Sequence, residues 1–227
     1  MKKLMKKQCQ LLMCVLMSVS LAACARDFPV SPLTADEQKS EVELRGIDDS
    51  DAQLALASMY VLHNRIDDAD GILTGLAVKD GKNPRVLAWK AANDCKKVGR
   101  RGPWLMGFDK LYLVRGCLAD LDASLAVAPD DFVVQMVQMT TAADVDMFGS
   151  LERAAATRDR VDAMLKKQPD ALPADTHAQF QVVAATIDRK QGQKDKAVAR
   201  LALAAPLVKT ESTRNQFVRE QELLATR

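Results

Sequence analysis

Side chains that could do chemistry are sparse in this 227-residue sequence, and they fall into three groups. The first is Cys24, which directly follows the small-residue run Leu21-Ala22-Ala23. The second is Cys95 and Cys117, the cysteines left when Cys9, Cys14 and Cys24 are set aside with the N-terminal segment. Two thiols in an oxidising compartment invite one bridge, closing a loop of about 20 residues and contributing roughly 3 kcal/mol in the chain-entropy model. The alternative is two separated buried thiols, because spacing alone does not bring Cα atoms into bonding range. The third group is Lys96-Lys97-Val98-Gly99-Arg100-Arg101-Gly102-Pro103-Trp104, where four cations, two glycines and a tryptophan crowd together. Arg100, Arg101 and Trp104 could hold an anionic group such as a phosphate or carboxylate. The plainer reading has the lysines complementing a helix C-terminus and the rest forming a solvated turn before Pro103.

Elsewhere the sequence offers little for catalysis. His63 and His177 stand in no ligand or triad spacing, and no Gly-x-Ser-x-Gly, His-Glu-x-x-His, phosphate loop or Cys-x-x-Cys occurs. Asp144 and Asp146 before Gly149 suggest a calcium loop, but Phe148 and Ala155 occupy positions that need oxygen ligands. An enzyme requires a positioned acid, base, nucleophile or metal. The expectation is a protein that is not an enzyme and takes neither cofactor nor metal.

The N-terminal segment sets the compartment. Lys2, Lys3, Lys6 and Lys7 precede the apolar run Leu11 to Val19, which is the layout of a secretory signal and is shorter than the roughly 20 residues a spanning helix needs. Leu21-Ala22-Ala23-Cys24 resembles the lipobox of bacterial lipoproteins. That resemblance implies that residues 1–23 are a signal peptide, that Cys24 is the first mature residue and carries the lipid, and that the chain sits at a membrane surface outside the cytoplasm. Ala25 after the cysteine resembles the outer-membrane sorting pattern, so the periplasmic face of the outer membrane is the expected location. A plain cleaved signal with an incidental cysteine is the alternative.

Charge then reads differently. The whole chain has 32 Lys and Arg against 30 Asp and Glu, but loss of the four N-terminal lysines leaves 28 cations against 30 anions. The basic surplus belongs to the signal, which removes the main support for a nucleic-acid partner. With 48% hydrophobic and only 4% aromatic residues, dominated by Ala, Leu and Val, the composition favours helices packed through small side chains.

The elements follow in order. Residues 24–33, with Pro29 and Pro32 and no helical period, read as a tether. Thr34 and Glu37 have capping-box spacing for a short, loosely attached helix ending at Arg45. Ser50 is the expected cap of a helix bearing Leu54, Leu56, Ala57 and Tyr60, paired with one bearing Ala69, Ile72, Leu73 and Leu76. Asn83-Pro84 opens a helix through Trp89 to about Cys95. Trp104–Arg115 and Leu118–Val127 read as two helices joined at Gly116-Cys117. Phe132, Val133, Met136, Val137, Met139 and Ala143 form the next apolar face, paired with Leu151–Lys167; its methionines read as core filler, with a binding groove as the alternative. Phe180, Val183, Ala184 and Ile187 pair with Ala197, Leu201 and Ala204 across Gly192. Ser212 is the expected cap of a last helix with Arg214, Arg219, Glu220, Gln221 and Glu222 on its polar side.

The order Leu56, Ala57, Tyr60, Ala69, Leu73 and the set Ala184, Gly192, Ala197, Leu201, Ala204 resemble tetratricopeptide repeats. The resemblance implies an all-α fold: a right-handed superhelix, or α–α solenoid, of antiparallel helix pairs over residues 34–227, closed by a C-terminal capping helix. It also implies a membrane-anchored scaffold for envelope protein partners, engaged through the concave face. Gln53, Lys90, Asn93, Lys110, Gln135 and Gln138 are the candidate contact residues on first helices. The alternative is binding of a small anionic ligand or cell-wall fragment by the 96–104 stretch.

Overall fold

The structure is a computed structural model that describes residues 28–101 and 107–226. Cys24 and Trp104 lie outside the described residues. Among these residues the chain is helical throughout: α1 (Ala35–Arg45), α2 (Ser50–Leu62), α3 (Ile66–Lys79), α4 (Pro84–Arg100), α5 (Phe108–Val127), α6 (Phe132–Val145), α7 (Ser150–Lys167), α8 (Ala174–Lys190), α9 (Lys194–Ala204) and α10 (Glu211–Ala225).

Local chemistry explains where the helices start. Thr34 and Glu37 close the expected capping box, with the Glu37 carboxylate accepting from the Thr34 amide at 2.8 Å. Asn83 caps α4 and Pro84 takes its first position. Two caps sit one or two residues earlier than expected. Asp49 rather than Ser50 caps α2, accepting from the Asp51 and Ala52 amides, and Thr210 rather than Ser212 caps α10. A carboxylate at the N-cap also meets the positive end of the helix dipole, which favours Asp49 over the neighbouring serine.

The largest departure from the sequence reading is α5. It runs unbroken through Gly116 and Cys117, so the two short helices expected there are one helix of 20 residues. Val114, Cys117, Leu118, Leu121 and Leu125 keep a continuous helical period across the glycine and are all buried. One interior glycine costs only about 1 kcal/mol against that burial. Likewise α4 continues past Cys95 to Arg100.

The packing repeats. α2 packs on α3, α4 on α5, α6 on α7 and α8 on α9 as consecutive pairs. Each first helix also packs on the next first helix, from α2 to α4, α6, α8 and α10, and each second helix packs on the first helix of the following pair. The first helices run parallel. Arg85 near the start of α4 pairs with Asp131, the N-cap of α6, at 2.7 Å. At the other ends Lys96 donates to the Val61 carbonyl at 2.6 Å, and Lys190 to the Ala143 carbonyl at 2.5 Å.

Small residues allow this close approach. Ala57, Ala69, Ala88, Ala154, Ala178, Ala184, Ala185, Ala197 and Ala204 have no exposed surface. Larger side chains, among them Leu73, Leu121, Met139, Phe180 and Ile187, fill the space between. Each such side chain contributes about 1.5–3 kcal/mol on burial. Met139 is therefore core filler, as the first of the two readings of the methionines has it.

Both ends of the stack are held by polar contacts. α1 buries no side chain completely, yet it is not loose: the Tyr60 hydroxyl donates to Glu41 at 2.7 Å, and Arg65 reaches the same carboxylate at 2.7 Å. The Tyr60 hydrogen bond and the two arginines around Glu41 lower its pKa. At the far end Glu220, expected on the polar side of α10, is 4% exposed and paired with Arg189 at 2.5 Å. Its carboxylate is turned inward because Arg189 and Thr186 of α8 supply donors there.

Candidate functional site

Lys96, Lys97, Arg100 and Arg101 of the basic stretch gather at one edge of the stack, where α2 and α4 end and α5 begins. Phe28 lies against Gly99: a Cβ built on that glycine would come within 2.4 Å of the Phe28 ring. A side chain at position 99 would displace the ring. From there Pro29 accepts from the Asn64 side chain at 2.9 Å, and the Ser31 amide donates to the His63 carbonyl at 3.1 Å. Residues 28–33 are thus laid across the C-terminal ends of α4 and α2. His63 meets Glu37 at 3.2 Å and Ser31 at 3.1 Å, so it joins this segment to the helix ends. His177 instead faces Gln181 at 3.1 Å within α8.

The basic stretch is not a free loop. Lys96, Lys97 and Arg100 lie in the last turns of α4, and each has a partner on α2 or α3 or at the turn between them. Lys96 donates to Val61 O and to Asn64 Oδ1 at 2.7 Å, and burial lowers its pKa. Lys97 pairs with Asp70 at 2.7 Å. Arg100 makes a two-pronged contact with Asp67, at 2.6 and 3.2 Å, which lowers the pKa of that exposed carboxylate. Arg100 is therefore paired at the surface with an acidic side chain of the same chain. Arg101 ends α4, is exposed, and borders a groove between α4 and α5 with Asp94, Lys97, Tyr112, Arg115 and Asp120. Its carbonyl accepts from Lys110 at 3.2 Å.

Cys95 and Cys117 form a disulfide-compatible pair across α4 and α5, Cα atoms 5.4 Å apart and both side chains buried. This spacing is within the usual range for a bridge. Because the pair joins two helices that already pack, its effect falls chiefly on the unfolded chain. Replacing both cysteines by serine is expected to lower the unfolding free energy by about 3 kcal/mol. Urea unfolding of the oxidised protein against the double variant measures it; a difference below about 1 kcal/mol would mean that the loop constraint is not felt.

Of the six contact residues expected on first helices, three are structural. Asn93 has no exposed surface and donates to the Ile66 carbonyl at 3.1 Å, while Gln135 and Gln138 are 5% and 1% exposed. Periodicity placed them on helix faces but did not show that the neighbouring pair covers those faces. Gln53 and Lys90 are half-buried on first helices, whereas Lys110, also half-buried, lies on α5, the second helix of its pair, because the chain turns back before Phe108. The open face of α2 instead carries Asp51, Ala55, Ser58 and Leu62, at spacings of three and four residues.

The sequence did not reveal a buried charge network on α7, α8 and α9. Asp188 is 1% exposed and accepts from Arg158 and from Arg200, the latter at 2.6 Å; Arg200 also holds Asp162 at 2.6 Å. Its partners are 30 and 12 positions away, beyond any local spacing rule. Among the described residues no group of three or more His, Cys, Asp or Glu side chains is placed to hold a metal ion. No helix among them is long and apolar enough to cross a membrane.

No protein-family model matches this chain, and no curated protein or solved structure matches it either.

Proposed function

We propose that this chain is a lipid-anchored interaction scaffold of the bacterial cell envelope, built as a right-handed superhelix of tetratricopeptide-like helix pairs and held at the periplasmic face of the outer membrane through Cys24. It binds protein partners along the face formed by its first helices and turns over no substrate. The observation that carries the reading is the recurrence of the same contacts from pair to pair, first helix on first helix and second helix on the next first helix. Such nearest-neighbour stacking builds extended binding faces. Leu21-Ala22-Ala23-Cys24 supplies the anchor in this reading. The reading in which Arg100 and its neighbours grip an anionic ligand has less support, because Lys96, Lys97 and Arg100 are bonded within the fold.

The test is in-cell crosslinking of the tagged full-length protein, followed by detergent purification and mass spectrometry. An Ala55→Glu, Leu62→Glu double variant alters the open face of α2 without touching its buried side. Recovery of one defined envelope complex, lost in the double variant, is the expected result. If nothing specific is recovered, the ligand reading gains, and Arg101→Ala is then assayed against anionic envelope fragments.

A further inference from the structure

We infer that the edge formed by the ends of α2, α4 and α6 and the first half of α5 lies against the lipid headgroup region of the membrane, with Phe108, Leu111, Tyr112 and Phe148 seated in it. This inference rests on anchorage through Cys24 and adds an orientation to it. Three separate observations meet here.

The first is where the chain joins the fold. Phe28 packs on Gly99 at the end of α4. Cys24 is four residues earlier, and four residues reach at most about 14 Å. An anchor on Cys24 therefore holds this edge close to the bilayer.

The second is what the edge exposes. Phe108, Leu111 and Tyr112 are 66%, 38% and 78% exposed, and with Arg115 they follow one face of α5 at helical spacing. Arg115 lies over the Phe148 ring, 5.2 Å from its centre. That contact joins the α5 stripe to the turn after α6, where Met147 and Phe148 are 42% and 40% exposed. Aromatic rings with arginine at their border suit a membrane interface, where the apolar body sinks in and the polar end stays hydrated.

The third is the contrast with the opposite edge. The connections there carry Asp48, Asp49, Asp80, Asp130, Asp131 and Asp170 against Lys82 and Lys209, an acidic excess. An anionic lipid surface repels such an edge, so the two edges differ in the sense that fixes orientation. A protein covering the stripe would not account for the anchor leaving beside it.

The test uses the full-length lipoprotein in vesicles of phosphatidylethanolamine and phosphatidylglycerol. Tyr112→Cys, with Phe108→Cys as a second reporter, and Asp170→Cys on the opposite edge are each labelled with an environment-sensitive fluorophore under non-reducing conditions. All three positions are exposed, so the core is left alone. Flotation reports anchorage, and nitroxide lipids report depth. Expected is flotation with a blue shift and several-fold stronger lipid quenching at positions 112 and 108 than at 170. Flotation with equal quenching at both edges, or with none at positions 112 and 108, overturns the orientation and leaves anchorage standing. A blue shift at 112 without lipid quenching shows a second copy covering the stripe and also overturns it. Failure to float removes anchorage and the orientation together.

Discussion

Asp188→Ala is expected to lower the unfolding free energy by about 3–5 kcal/mol, the usual cost of breaking a buried ion pair from one side. The carboxylate is 1% exposed and is shared by Arg158 of α7 and Arg200 of α9, so it ties three helices at one point. Removing it leaves the nearly buried Arg158 with only Asp159 and Gln191, and leaves Arg200 with Asp162 and Gln181. Burial works against the charge on Arg200, but the bonds to Asp162 and Asp188 outweigh it and raise the arginine pKa. For a chain of this size a melting temperature falls by about 2–4 °C per kcal/mol, so a drop on the order of 10 °C should be seen by circular dichroism. Because charges must be desolvated to build it, the network adds little net stability over an apolar replacement. Replacing the Arg158–Asp188–Arg200 triad together, as Arg158→Met, Asp188→Leu and Arg200→Met, should recover most of the loss. A small effect of Asp188→Ala alone would show that water reaches the arginines.

The same network shows what the sequence could not disclose. Local signals read well: Thr34 with Glu37 and Asn83 with Pro84 mark true helix starts, because capping is settled within four residues. Small residues at repeat spacing read well too, since Ala57, Ala69, Ala184 and Ala197 have no exposed surface and sit where helices touch. Gly116 misled because a glycine weighs heavily in a local reading, whereas the apolar period on both sides of it wins once α4 supplies a partner. The partners of Arg100 and Asn93 were hidden for a different reason. Their partners, Asp67 and the Ile66 carbonyl, are 33 and 27 residues away, and only the folding of α4 back onto α3 brings them within reach. Thus capping and the alanine interfaces were legible, while the identity of each cation's partner depended on packing.

Cys24→Ala is expected to abolish acylation and to move the protein out of the membrane fraction, an all-or-none change rather than a graded one. Lipid anchorage is additive in chain length: each buried methylene is worth about 0.8 kcal/mol, a single acyl chain binds only marginally, and stable anchoring takes more than one chain or a second signal. The stripe on α5 is too weak to serve as the anchor, because three exposed side chains on one helix face bury little area in a headgroup layer. Its role in the proposed arrangement is to orient a protein that the lipid already holds, which predicts that Tyr112→Ser leaves fractionation unchanged while Cys24→Ala eliminates it. Metabolic labelling with a clickable fatty acid, followed by fractionation of both variants, separates the two contributions. Acyl label that persists in Cys24→Ala would refute the lipid assignment. Loss of the label with full membrane retention would place the holding force elsewhere in the chain, and Phe28 against Gly99 would then mark only where the N-terminal segment meets the fold.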